Sequence, residues 1–235
     1  MRLDKYITQK HNIQSRNKAA ELIKAGKVSV NEKIINKTSF IIQGDEKVSI
    51  NENDFFVSRS AYKLKFFLED NNIIVENKTA IDIGSSTGGF TQILLNNDIK
   101  SITCVDVGTN QLHQSIKNDP RITIAENTDI RKFQSNTTYQ FITCDVSFIS
   151  ILNILHDIDR LSSKEIIILY KPQFEVGKET KRDNNGVVLD QETIKKKRVL
   201  FLQETQKLNW KLLITDKSRL AGKNGNIEEL FYFTK

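Results

Sequence analysis

Several features are missing from this 235-residue sequence, and each absence narrows what the chain does. No apolar run approaches the roughly 20 residues that cross a bilayer, and the longest pure one, at 166–170, is strand-sized. The first residues, MRLDKYITQKHNIQ, interleave charges throughout and lack the apolar core of a secretory signal, which gives a cytoplasmic expectation. No strongly basic amphipathic helix faces an aromatic-rich apolar side, so a membrane-lytic role finds no support. Only two cysteines occur, Cys104 and Cys144, both inside apolar strand-like runs; buried thiols are the reading there, not a disulfide or a metal site. There is no repeat of solenoid period and no low-complexity tract.

What is present is a globular composition, 27% charged and 38% apolar, on a chain long enough for one ordinary domain and a small second one. The net charge of +6 is unevenly placed: residues 1–40 hold nine Lys/Arg against three Asp/Glu, and the other 195 residues balance at 26 and 26. A basic module on a neutral body suits a polyanion, though a solvated basic surface has the same composition. The pattern SRNKAAELIKAGKVSVNEKII predicts a helix from Ser15, a stop at Gly26 and a short strand from Lys27 to Val30, with an earlier helix over 2–8. Arg16, Lys18, Lys24 and Lys27 belong to the charged surface of that unit. The polar residues 51–54 mark its boundary.

Beyond the boundary, strands are expected over 79–83, 101–107, 122–125, 141–145 and 166–171, alternating with helices over 59–71, 89–96, 110–117, 149–161 and 190–208. Two late strands, 211–216 and 229–234, follow without a helix between them. Such an order implies an α/β fold with a doubly wound parallel sheet closed by an antiparallel strand.

The stretch DIGSSTGGFTQILL, residues 82–95, turns from strand to helix through three glycines. It is neither a Walker A loop nor a GxGxxG loop, so a pyrophosphate is less suited to it than a smaller cofactor without phosphate. Asp106, 22 residues beyond Gly84, ends the second strand of the series, where an acid takes both ribose hydroxyls. Asp82 can meet a cationic amine, and Asp129, read as ending the third strand, can accept from an adenine amine. Together these describe S-adenosylmethionine, with Asp82, Gly84, Ser85, Ser86, Thr87, Gly88, Gly89, Phe90, Asp106, Val107, Asp129 and Asp145 as its candidate contacts. A structural glycine turn with capping aspartates is the plain alternative.

RNKAAELIKAGKVSVN, VSRSAYKL, DIGSSTGGFT, VDVGTNQL, CDVSFIS, LYKPQFEVGK and GNIEE occur in the order of one family, and the chain resembles it over nearly its whole length. This is the hemolysin A (TlyA) family of ribosomal RNA 2′-O-methyltransferases, related to FtsJ-type enzymes. The resemblance implies a small α+β S4-like RNA-binding domain over 1–53, a linker at 54–57 and a Rossmann-like class I methyltransferase over 58–235. It implies a Lys63, Asp145, Lys171, Glu228 active site in which Lys171 takes the proton of a cytidine ribose hydroxyl. RNA would lie on Arg2, Arg16, Lys18, Lys24, Lys27 and Arg59. Ser60 stands where the family more often has glycine, and RLAGKNGN lacks the proline often found before the last strand. The short N-terminus resembles members that act on large-subunit RNA alone. A non-catalytic module for ribosomal RNA binding and ribosome assembly is the competing class of function.

Overall fold

The computed structural model describes every residue except 12, 14, 25 and 51–55. The polar boundary at 51–54 and the first two residues of the expected linker therefore lie outside the described residues. The chain divides into two units, Met1–Val57 and Ser58–Lys235.

The first unit has helices α1 (Leu3–Lys10) and α2 (Arg16–Lys24) and strands β1 (Val28–Val30), β2 (Lys33–Ile34) and β3 (Val48–Ile50), with β1 central and antiparallel to both neighbours. Leu3, Ile7, Ala19, Leu22 and Ile23, spaced three and four apart along the helices, bury against Val28 and Val30. Asp4 is buried with them, and the guanidiniums of Arg2 and Arg16 hold its carboxyl down at about 2.

The second unit carries α3 (Arg59–Asp70), β4 (Thr79–Ile83), α4 (Gly89–Asn96), β5 (Ser101–Val105), α5 (Gln114–Lys117), β6 (Ile122–Ala125), β7 (Tyr139–Cys144), α6 (Leu155–Leu161), β8 (Ser162–Tyr170), α7 (Pro172–Glu175), α8 (Gln191–Lys207), β9 (Lys211–Lys217) and β10 (Glu229–Thr234). The strands form one seven-stranded sheet in the order β6-β5-β4-β7-β8-β10-β9. All neighbours run parallel except β10, which is antiparallel to β8 and β9. The α/β class and the closing antiparallel strand therefore stand as expected. On one face of the sheet, α6 and α8 bury Ile158, Leu161 and Phe201 against Ile142, Ile166, Ile168 and an aromatic group of Tyr170, Phe231, Phe233 and Trp210. α4 lies on the other face, where Thr91 meets Asp82 and Cys104.

Three local expectations differ from the structure. The helix expected over 110–117 is only α5, because the Glu126 carboxylate accepts the backbone N–H groups of Asn110, Gln111 and Leu112 and folds them around itself. The helix expected over 149–161 is split into a 3₁₀ turn at Ile151–Asn153 and α6, since the Glu175 carboxylate of α7 takes the amide of Ile151. β5 stops at Val105, so Asp106 and Val107 leave the sheet, and Asp129 lies in the loop beyond β6 instead of ending it.

Gly88 sits at φ +89° before α4, and a Cβ there would overlap Ile116 and Leu112. Gly88→Ala is expected to destabilise this unit by about 1–3 kcal/mol through overpacking alone, with the left-handed backbone adding to it. Thermal unfolding of the two proteins measures the loss; an unchanged midpoint would show that the turn relaxes freely.

Candidate active site and cofactor cavity

The strand order reverses at β4, between β5 and β7, and in open α/β sheets ligands bind where such a reversal leaves a crevice beyond the strand ends. A cavity of about 430 Å³ opens there. Ile83, Val105, Val107, Ile130, Val146, Ile149 and Ile154 give it apolar walls, and Asp106, Asp129 and Asp145 bring carboxylates. The Asp106 carboxylate is fixed before any ligand arrives, because Oδ2 accepts from the Ser86 amide at 2.8 Å and Oδ1 from the Gly108 amide at 2.7 Å. Gly84, at φ +77°, lets the loop pass so close to β7 that a Cβ would stand 3.0 Å from the Asp145 carbonyl oxygen.

Six of the expected cofactor contacts line this cavity: Gly84, Ser86, Asp106, Val107, Asp129 and Asp145. The others do not. Ser85, Gly88, Gly89 and Phe90 are buried beneath the turn, and the Thr87 carbonyl accepts from the His113 amide. Gly89 packs on the Ser58 and Ser60 hydroxyls, which are 2.7 Å apart. Ser60 thus fills its unusual position with a polar contact. Asp82 is a correction: it is fully buried, with its two oxygens accepting from Thr91 Oγ1 at 2.6 Å and Thr143 Oγ1 at 2.8 Å, so it braces the loop from below instead of meeting an amine. Asp129 is held by Arg131, whose side-chain hydrogen bonds bring its carboxyl down to about 2.

The cavity fits a nucleoside cofactor of positive charge. Its three carboxylates face one guanidinium, and that guanidinium, of Arg131, is already paired with Asp129, so the lining offers no free cation for a phosphate. Thr128, Ile130, Arg131 and the 146–149 segment, which were not among the expected contacts, complete the lining.

Next to the cavity the four residues of the expected tetrad come together. Lys63 projects from the buried side of α3, Asp145 follows β7, Lys171 follows β8 and Glu228 precedes β10. The antiparallel register that sets Glu229 opposite Tyr170 brings Glu228 across from Lys171. Lys63 Nζ donates to Glu228 Oε2, and Lys171 Nζ lies 2.5 Å from Asp145 Oδ1. Lys171 also donates to Ser147 Oγ at 3.0 Å, and Gln173 Nε2 donates to Glu228 Oε1 at 2.8 Å. Burial pushes the Asp145 carboxyl up against the pull of Lys171 and Lys63. Glu229, one residue on, is instead paired with Arg198. At the cavity rim Phe148 is 92% exposed and held at φ +67°.

Residues 56–235 match the FtsJ-like methyltransferase family and residues 1–48 match the S4 domain. A 23S rRNA (cytidine-2'-O)-methyltransferase TlyA of Campylobacter jejuni is 46% identical over the whole of both chains. This chain belongs to the TlyA family of FtsJ-like methyltransferases. A 16S/23S member from Mycobacterium tuberculosis is 33% identical over 97% of this chain and 87% of its own. A solved structure from Streptococcus thermophilus, named as a hemolysin, superposes with a TM-score of 0.72 at 30% identity, over 100% of this chain and 88% of that one. The cofactor of the family enzyme is S-adenosylmethionine, whose charge and lack of phosphate agree with the lining.

The candidate RNA-binding cations are distributed over both units. Arg2 and Arg16 converge on Asp4, Lys18 lies 3.6 Å from Glu21, Lys24 is exposed and Lys27 half-buried in the first unit. Arg59 is exposed at the start of α3 in the second.

Asp82 has a pH signature. Burial raises its carboxyl from 3.8 to about 6, ahead of the opposing hydrogen bonds from Thr91 and Thr143. The folded state then binds a proton that the unfolded state has released, so the cost of the buried charge is full above about pH 6 and fades as pH falls through that value. Asp82→Asn is expected to raise the melting temperature at pH 7.5, with the gain shrinking at pH 5. Melts at the two pH values measure it, and a constant difference would refute the buried charge.

Proposed function

We propose that this protein transfers a methyl group from S-adenosylmethionine to the 2′-hydroxyl of a cytidine in ribosomal RNA, that large-subunit RNA is its target, and that it works in the cytoplasm. The two lysine–carboxylate pairs at the mouth of a phosphate-free nucleoside cavity carry this reading. The bound cofactor supplies a methyl group already activated on a sulfonium. The chain's own task is to position a ribose and take one proton.

Lys171 Nζ, once its own proton has passed to solvent, takes the hydroxyl proton as a neutral amine, while Asp145 and Ser147 fix its position and direction. Lys63, anchored by Glu228, orients the sugar and places a second cation near the developing alkoxide. Apolar residues of the cavity wall keep water from the transfer path. Phe148 offers a platform for a base drawn out of its stack, since a ring held at the rim binds any base by its face. Asp106 and Asp129 hold the nucleoside end of the cofactor, and Asp145 faces both the cavity and Lys171.

The first unit, joined through residues 54–57, grips RNA through Arg2, Arg16, Lys18, Lys24 and Lys27, with Arg59 adding a contact from the second. These cations meet phosphates, which position RNA without reading its sequence. The name of the Campylobacter relative, with its match over the whole chain, supports the large-subunit target. A relative in Brachyspira hyodysenteriae, 35% identical over 99% of this chain, is named Hemolysin A, yet no helix among the described residues is long and apolar enough to cross a membrane.

Radiolabelled S-adenosylmethionine with separated, unmodified ribosomal subunits tests the whole reading: label on the ribose of large-subunit RNA is expected, and cofactor binding without label on either subunit would refute it. Lys171→Ala should lower transfer at least about a hundred-fold and keep cofactor affinity; full activity would remove the base assignment. Affinity for RNA should fall steeply with salt, and Lys24→Ala should flatten the slope of log K on log salt by about one unit. An unchanged slope would place Lys24 off the RNA.

A further inference from the structure

The single-turn helix α7 touches more of the site than its length suggests. Gln173 donates to Glu228. The Phe174 ring lies 5.2 Å from the Phe148 ring and 5.9 Å from Lys171 Nζ. Glu175 reaches back to the preceding loop, where its Oε2 accepts from Ser150 Oγ at 2.6 Å and its Oε1 from the Ile151 amide at 2.9 Å.

The Glu175 interaction is made against a cost. Its carboxyl is buried and raised by that burial, and the hydrogen bonds from Ser150 and the Ile151 amide oppose the rise. What the carboxylate does is bind the first turn after the 145–150 loop. That loop carries Asp145, Ser147 under the Lys171 amine, and Phe148 in a left-handed conformation that a bulky side chain rarely adopts. Such a conformation persists only where its surroundings restrain it. The restraints are Glu175 at the loop's far end and the Phe174 ring beside Phe148.

We propose that Glu175 is a positioning residue: it holds the 145–150 loop so that Phe148 and Ser147 meet the RNA nucleotide in the reactive arrangement. The idea rests on the reading of RNA as substrate. The loop lines one wall of the cofactor cavity with residues 145–149 and presents Phe148 at the rim, while the opposite wall, with Asp106 and Val107, comes from the end of β5, so loosening the loop falls more heavily on the RNA nucleotide than on the cofactor.

Three comparisons test it on the full chain. Glu175→Ala should speed amide hydrogen exchange in a peptide spanning 146–152 and lower kcat/KM for RNA by about ten- to a hundred-fold, a larger factor than the rise in cofactor Kd, since only one wall of the cavity is loosened. Glu175→Gln, which keeps an acceptor for the Ile151 amide and a partner for Ser150, should restore most of the rate. In a Phe148→Ala background the loss from Glu175→Ala should largely vanish, since two residues acting through one loop are not additive. Fully additive losses, or unchanged exchange, overturn the proposal. If Glu175→Ala does not fold, Ser150→Ala removes one of the two hydrogen bonds and carries the same exchange and rate comparisons. Should the unaltered protein methylate no ribosomal RNA, the functional reading fails, while the exchange measurement, which needs no substrate, still decides whether Glu175 holds the loop.

Discussion

Two ammonium groups and two carboxylates are packed together at one end of the sheet, and a buried charge is tolerated only when it is paired. Lys63, Lys171 and Glu228 are all buried, so each pairing is a condition of folding as well as of chemistry. The surrounding structure meets that condition from four directions: a helix, the ends of two parallel strands and the start of an antiparallel one. Ser147 and Gln173 take up hydrogen-bonding capacity that the ion pairs leave over. Arg198 draws Glu229 away, so only one of two adjacent glutamates competes for Lys63.

The cofactor cavity follows a complementary logic. The Ser86 amide of the glycine loop and the Gly108 amide are directed at Asp106, which is therefore held in place before binding. Beneath the loop, Asp82 ties two hydroxyls together in a fully dry place. One acid faces the cavity and the other carries a buried charge as scaffold, although both sit near strand ends of the same sheet.

The difference between those two acids marks how far the sequence could be read. The place of Asp106 on the cavity wall was legible because its spacing from the glycine turn reflects a local strand–turn–helix geometry. Asp82 was misassigned because a strand-end position does not say on which side of the loop the carboxylate lies, and Thr143 is 61 residues away. The α/β order was legible from alternating patterns, and the tetrad from its motifs. Spacing alone could not have joined Lys63 to Glu228 across 165 residues. The missed breaks at 110–113 and 149–154 have one cause. In each, a distant glutamate, Glu126 or Glu175, captures amides that a helix would have used, and no helical pattern records a partner that arrives from elsewhere.

β10 follows β9 in the chain but lies between β8 and β9 in the sheet. As a ribosome delivers the polypeptide in order, β9 emerges with no strand to join and Lys63 with no counterion. Both wait for one segment, which closes the sheet and brings Glu228 at the same moment. Completion of the sheet and assembly of the Lys63–Glu228 pair are thus a single event, so a partly made chain, even with its cofactor cavity already shaped, still lacks one of the two ion pairs at the site.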